Sequence, residues 1–157
     1  MRILILSVGR WKAGPQRALY EAYRERIAWP VELREIEERK RLPPAALKAR
    51  ESALLLAALP AARADFALVA LDPTGKAMTS EAFAARLGAW RDEGRGTIAF
   101  LIGGADGLAP EARKAADLVL SFGAPTWPHL LVRGMLAEQL YRAQQILAGH
   151  PYHRGGE

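Results

Sequence analysis

The chain has 157 residues, a formal net charge of +5 and no cysteine. This length predicts a single domain over residues 1–157 that can bury a core without covalent cross-links. The lack of cysteine excludes disulfides, thiol nucleophiles and thiolate metal sites, and it fits a reducing compartment. No apolar run approaches the ~20 residues that a membrane-spanning helix needs, so we expect a cytoplasmic protein without membrane contact.

The positive charge is concentrated in the N-terminal part of the chain. Residues 1–60 hold 12 Lys or Arg against 7 Asp or Glu, whereas the remaining residues hold 10 of each. The densest cluster is Arg39-Lys40-Arg41, which Lys48 and Arg50 follow. Arg outnumbers Lys by 17 to 5, and guanidinium groups suit phosphate contacts. The pattern fits either an acidic polymer as partner or a solvated Arg-rich face.

Short apolar runs alternate with helical patterns along the whole chain. In chain order the pattern predicts a strand at 3–8, a helix at 16–28, a strand at 31–36, a helix at 45–59, a strand at 66–71, a helix at 80–93, a strand at 97–102, a helix at 110–116, a strand at 118–122 and a helix at 129–148. A turn is predicted at 72–75. Five strands that alternate with helices indicate an α/β fold, with a mainly parallel sheet flanked by helices on both faces.

Three loops follow predicted strands, at residues 72–76, 103–108 and 123–128. Ligands of open parallel sheets bind beyond the carboxyl ends of the strands. The pair Gly103-Gly104 would let backbone approach a ligand closely, although a tight strand-to-helix turn also needs glycine. The spacing lacks a dinucleotide fingerprint after the first strand, a phosphate-binding loop at 72–76 and a G-x-S-x-G nucleophile elbow.

The three histidines, His129, His150 and His153, bracket the last predicted helix. His129 begins this helix, where the helix dipole favours the neutral imidazole. Arg133 lies one turn later, near the positive end of the dipole, and therefore predicts an anionic partner. No third ligand has suitable spacing to His150 and His153, so no metal is expected. The helix itself is either core or a contact with a second subunit.

Five motifs occur in a fixed order along the chain and together indicate a family. They are Leu71-Asp72-x-x-Gly75-Lys76, Phe100-Leu-Ile-Gly-Gly104-x-x-Gly107-Leu108, Pro128-His129-x-Leu131-x-Arg133, Glu138-Gln-Leu-Tyr-Arg142-Ala143 and His150-Pro-Tyr-His-Arg154. Over residues 1–154 the chain resembles the ribosomal RNA large subunit methyltransferase H family, the pseudouridine N3-methyltransferases.

The resemblance implies an α/β knot of the SPOUT type, in which the C-terminal segment threads through a loop to form a trefoil. It also implies S-adenosylmethionine as methyl donor and a homodimer with the last helix at the interface. The implied substrate is a pseudouridine of 23S ribosomal RNA, methylated at N3 on assembled ribosomes. A SPOUT methyltransferase for another RNA base and a non-catalytic RNA-binding dimer remain the alternatives, because one fold can host several functions.

The resemblance also assigns site residues. The implied cofactor contacts are Leu71, Gly103, Gly104, Phe122, Gly123, Ala124, Pro125, Thr126 and Trp127. The implied catalytic residues are His129, Tyr152, His153 and Arg154, with one histidine taking the N3 proton, Arg154 holding phosphate or imide charge and Tyr152 stacking on the base. The sequence leaves open which histidine acts and whether a partner's tail completes the site. Pro125 and Trp127 stand where smaller or aliphatic residues are expected, so adenine packing would differ in detail.

Overall fold

Strands and helices alternate from one end of the protein to the other. The computed structural model describes residues 1–154, and among these the side chains of residues 1–152. The elements are β1 (Arg2–Val8), α1 (Pro15–Arg24), β2 (Val31–Ile36), α2 (Pro44–Ala57), β3 (Phe66–Ala77), α3 (Ser80–Asp92), β4 (Thr97–Ile102), α4 (Pro110–Ala115), β5 (Leu118–Ser121) and α5 (His129–Leu147). Single 3-10 turns lie at Arg63–Asp65 and Pro151–Arg154. Each of the ten predicted elements is therefore present.

The five strands form one sheet in the order β2-β1-β4-β3-β5, and all four pairings are parallel. Successive side chains of a strand point to opposite faces, so β1 contributes to two cores. Ile3 and Ile5 pack with residues of α1, α3 and α5, whereas Leu4 and Leu6 pack with residues of α2 and α4. Helices thus cover both faces of the sheet, which confirms the predicted α/β architecture.

β3 continues beyond the end that the sequence predicts. The prediction stopped the strand at Leu71, but the structure carries it to Ala77. Leu71 and Lys76 both lie opposite Leu120 of β5, so the four residues between them leave the ladder. The turn predicted at residues 72–75 is this segment outside the ladder. A local Asp-Pro-x-Gly signal could not reveal that pairing resumes afterwards, because the partner strand lies much later in the chain.

Gly75 lies where this excursion crosses β5. A Cβ atom built on Gly75 would be 2.6 Å from the carbonyl oxygen of Val119, which is far inside the contact distance of two such atoms. Any side chain here would therefore have to displace the backbone of β5. Glycine is required because two segments of chain cross at backbone-to-backbone distance.

α1 is shorter than the helical pattern suggests. The prediction extended it to Ala28, but the helix ends at Arg24. The backbone N–H of Ala28 instead donates to Oε1 of Gln144 on α5 at 2.6 Å, and Nη2 of Arg26 donates to the Tyr141 hydroxyl at 3.0 Å. Contacts with α5 replace the last helical turn, and periodicity alone could not predict this.

α5 packs its inner face against α1, α3 and the sheet. Leu136, Ala137 and Leu140 are fully or almost fully buried in this core. Gly134 brings α1 close, because a Cβ there would lie 2.8 Å from a methyl carbon of Leu19. Within the described residues, no helix is long and apolar enough to cross a bilayer.

Candidate functional site

A cavity of about 240 Å³ lies at the carboxyl edge of the sheet, where the loops after β3, β4 and β5 meet. Parallel pairing brings these strand ends to one edge, as the sequence analysis expected. His129 at the start of α5 also lines this cavity. Eight of the nine predicted cofactor residues line it, with Ala124 absent from the wall: Leu71, Gly103, Gly104, Phe122, Gly123, Pro125, Thr126 and Trp127.

The loop after β4 forms one wall of the cavity, and three of its residues there are glycines, Gly103, Gly104 and Gly107. A Cβ on Gly103 would lie 2.6 Å from the carbonyl carbon of Gly107, and one on Gly104 would lie 3.0 Å from both carboxylate oxygens of Glu51. Burial, and then the neighbouring Asp106, raise the pKa of the Glu51 carboxyl. The absent side chains make room for the tight turn at Gly103 and for Glu51 of α2 at Gly104, and the role of this pair as a ligand loop stays a prediction.

The loop that leaves β3 is fixed by Asp72, which the sequence analysis did not assign to the site. Its carboxylate accepts hydrogen bonds from the Thr74 N–H at 2.9 Å and from the Thr74 hydroxyl at 2.6 Å. Burial alone would raise the pKa of Asp72, but these bonds and Arg113 at 3.5 Å lower it. Arg113 also donates to the Leu108 carbonyl oxygen at 3.2 Å. Asp72 therefore stays ionised and joins two walls of the cavity.

The third wall is the segment between β5 and α5. Gly123 adopts a φ of 106°, a value that favours glycine, and its N–H donates to the Ser121 hydroxyl at 3.0 Å. The Trp127 indole N–H donates to the Phe122 carbonyl oxygen at 3.2 Å, so this large ring closes its own loop. Trp127 is 40% exposed. The large side chain of Trp127 is thus part of the cavity wall and partly exposed to solvent.

Arg133, one turn into α5, is fully buried and holds the ends of two strands. Its Nε donates to the Ser7 hydroxyl at 2.7 Å, and its Nη1 donates to the Glu35 carboxylate at 3.1 Å. Its Nη2 donates to the carbonyl oxygens of Val8 at 3.2 Å and Gly9 at 2.8 Å. The predicted anionic partner is therefore Glu35 within the protein, and Arg133 is not available to an external ligand.

Trp11 completes this buried cluster. Its ring lies 4.5 Å from the guanidinium carbon of Arg133, and its backbone N–H donates to the Glu35 carboxylate at 2.6 Å. The ring of Tyr20 lies 5.5 Å away, and burial raises the pKa of Tyr20 to about 12. This cluster was not predicted. Its one signal in the sequence was a charged residue, Arg133, near the start of an otherwise apolar helix.

His129 lies between the buried cluster and the cavity. Its Nε2 is 3.0 Å from the position of a Cβ on Gly9, which has a φ of 99° and admits no larger residue without strain. Burial lowers the pKa of His129 below its ordinary value of 6.5, and the Arg133 charge lowers it further. The imidazole is therefore neutral near pH 7 and can accept a proton. The helix dipole would also lower the pKa of His129, but burial and the Arg133 charge are the two causes of the shift.

Tyr152 lies far from His129 within one chain. Its ring packs edge-on against Tyr141, with centroids 4.7 Å apart, and lies 5.0 Å from the guanidinium carbon of Arg142. His129 and Tyr141 lie more than three turns apart on α5, a separation of about 18 Å along the helix at 1.5 Å per residue. One chain alone therefore does not bring these predicted catalytic residues together. The side chains of His153 and Arg154 lie outside the described part of the structure.

A second, larger cleft of about 500 Å³ lies between α1, α3 and α5. Leu19 and Tyr23 of α1 line it with Met78, Met135 and Glu138. It shares Leu120, Phe122 and Gly123 with the strand-end cavity. Among the described residues, no group of three His, Asp or Glu side chains is placed to hold a metal ion.

Comparisons with known proteins identify the family of this chain. A family model described as "Predicted SPOUT methyltransferase" matches residues 1–153. The ribosomal RNA large subunit methyltransferase H of Rhodospirillum centenum is 60% identical over 154 residues, which is 98% of this chain and 99% of the relative. That of Paramagnetospirillum magneticum is 54% identical, with the same coverage.

Among solved structures, the SpoU methyltransferase AviRb from Streptomyces viridochromogenes matches 95% of this chain and 61% of its own, with 12% identity and a TM-score of 0.47. The parallel sheet, the strand-end cavity and the nearly full-length relatives point the same way. The chain belongs to the SPOUT methyltransferases, and within them to the ribosomal RNA large subunit methyltransferase H family.

Proposed function

We propose that this protein transfers a methyl group to N3 of a pseudouridine in 23S ribosomal RNA on assembled ribosomes. The observation that carries the proposal is the strand-end cavity with the neutral imidazole of His129 in its wall. The relatives that match nearly the whole chain are named for methylation of large-subunit ribosomal RNA. In this proposal residues 1–157 act as one domain in the cytoplasm, where ribosomes are found.

The cavity fits S-adenosylmethionine, the methyl donor of SPOUT methyltransferases. The glycine wall at Gly103 and Gly104 presents backbone without side chains, and Leu71 and Phe122 supply apolar surface. These features suit a flat adenine and a thin methionine chain, because ligand sites combine apolar walls with a few polar backbone groups. When bound, the sulfonium of the cofactor supplies an electrophilic methyl group. Family membership also implies the trefoil knot.

The chemical task of the protein is to make the N3 nitrogen nucleophilic. While N3 carries its proton, its lone pair is delocalised into the two neighbouring carbonyl groups and attacks a methyl group poorly. In the proposed mechanism neutral His129 accepts this proton as the methyl group transfers, a contribution of roughly 10²–10⁴ in rate for a positioned base. Arg133 lies behind the imidazole and, together with burial, keeps it unprotonated before the reaction.

The proposed active unit is a homodimer whose sites are shared between subunits. A two-fold interface pairs the same surface on both copies, and antiparallel packing of α5 would set the end of one helix beside the start of the other. The apolar cleft along α5 offers such a surface, with Leu19 exposed and Met135 in its wall. Tyr152 of the partner subunit would then meet His129, which Tyr152 of the same chain does not reach.

The first test measures the reaction itself. Ribosomes from a strain that lacks the modification are incubated with the protein and labelled S-adenosylmethionine, and the product nucleoside is identified by mass spectrometry. We expect N3-methylpseudouridine in 23S ribosomal RNA, with less product from protein-free RNA. A methyl group on another base, or a preference for free RNA, would contradict the proposal.

The second test concerns the pH dependence of methyl transfer. Because the folded pKa of His129 is lowered, the neutral base is fully present above pH 6.5 and is lost as the pH falls through the lowered pKa. Single-turnover rates should therefore be flat near pH 7 and decline only below 6.5. The His129→Gln variant should transfer the methyl group more slowly, and its rate should not fall at acidic pH. A fall in rate centred above pH 6.5, or one that persists in the variant, would rule out His129 as the base.

The third test asks whether two chains share one site. His129→Ala and a chain truncated after Gly149 carry different affinity tags, are co-expressed, and are purified as the heterodimer. If sites are shared, the tail of the His129→Ala chain completes the cavity of the truncated chain, and one of the two sites is intact. The heterodimer should therefore regain about half of wild-type activity, while each parent homodimer is inactive. Both parents should retain cofactor binding by calorimetry. A heterodimer as inactive as its parents would place the tail and the cavity in the same subunit.

A further inference from the structure

The carboxylates at the end of β2 are all engaged within the protein. Glu35 holds Arg133, and Glu37 accepts from Nε of Arg10 at 2.6 Å. Glu38 accepts from Nε of Arg50 at 2.9 Å and from the backbone N–H of Lys40 at 3.0 Å. The ion pairs of these acids are therefore made with Arg10, Arg50 and Arg133, and Glu38 also lies near the Lys40 charge.

Five cations remain around these acids, and we call them the basic rim: Lys12, Arg39, Lys40, Arg41 and Lys48. None of them has an ion pair within the part of the chain that the structure describes. Four are exposed, and Lys48 is half-buried in the wall of the strand-end cavity. The rim thus meets the strand-end cavity at Lys48.

The rim is built on two loops that are tied together. The ion pair between Arg10 and Glu37 joins the loop after β1 to the segment between β2 and α2. Both loops follow the carboxyl ends of adjacent parallel strands, and Gly9 at the start of the first contacts His129. Glu38 fixes the second loop through the Lys40 N–H, so its cations project from a defined backbone.

We propose that the basic rim binds the phosphodiester backbone of the RNA that carries the target nucleotide, an inference that rests on the proposed function. Exposed Lys and Arg bind RNA by neutralising phosphates and releasing counterions. The rim borders the cavity, so a strand held along it would present a nucleotide to His129. It contains no large exposed apolar side chain, whereas protein partners are anchored mainly by aromatic and apolar residues. This favours RNA over an acidic protein.

The test compares two variants that lose the same charge. Arg39→Gln, Lys40→Gln and Arg41→Gln are combined in the rim variant. The control combines Arg2→Gln, Arg86→Gln and Arg91→Gln, which are exposed residues at the opposite sheet edge and on α3. Binding to 50S subunits and to protein-free 23S ribosomal RNA is measured against KCl concentration, together with KM, kcat and the Kd for S-adenosylmethionine.

For the rim variant, the slope of log K against log [KCl] should flatten by about 2–3, since each lost phosphate contact removes about 0.7–0.9. KM for the ribosomal substrate should rise by about tenfold, with kcat and cofactor Kd unchanged. The control should match the wild type. An unchanged slope in the rim variant overturns the proposal, as does equal weakening in the control.

The two substrates separate the remaining outcomes. Weaker binding to 50S subunits with unchanged binding to free RNA would mean that the rim contacts a ribosomal protein, and it would overturn the assignment to RNA. If the wild type binds RNA through the rim but methylates no ribosomal RNA, the proposed function fails while the rim stands. If the wild type methylates pseudouridine but the rim variant binds normally, the function stands and the rim assignment fails.

Discussion

The buried guanidinium of Arg133 is the interaction on which the site depends. An unpaired charge in the core would cost several kcal/mol, yet this one has a carboxylate, a hydroxyl and two carbonyl oxygens as acceptors. Those acceptors lie at the ends of β1 and β2, while Arg133 itself belongs to the first turns of α5. One side chain therefore fixes the start of the last helix to the carboxyl edge of the sheet. That position places His129 in the cavity wall and keeps its imidazole neutral.

Much of this arrangement follows from sequence pattern, and the exceptions have physical causes. Alternating apolar runs predicted the parallel sheet, and parallel pairing placed the residues after each strand at one edge, so Leu71, Gly103 and Phe122 were found together. Pattern could not predict that β3 resumes pairing after Gly75, since that depends on a crossing with a distant strand. Nor could it predict Glu35 as the partner of Arg133, because nothing local links a residue of β2 to a turn of α5.

The residues of the proposed site lie in separate parts of the chain. The strand-end loops enclose the cavity, His129 lies in its wall at the start of α5, and Tyr152 packs against Tyr141 farther along the same helix. In the proposed homodimer, the tail of the second copy would reach the cavity that the tail of its own chain does not. The same helix that forms the core of one subunit would then set the geometry of the shared site.

In the proposed dimer, the strand-end cavity holds the methyl donor and faces the tail of the other subunit. A crystal structure of the protein with S-adenosylhomocysteine would test both positions. We predict the adenine against residues 122–127, the sulfur facing His129, and Tyr152 of the partner subunit at the opening. Ligand in the cleft along α5, or a cavity approached only by the tail of its own chain, would contradict the account.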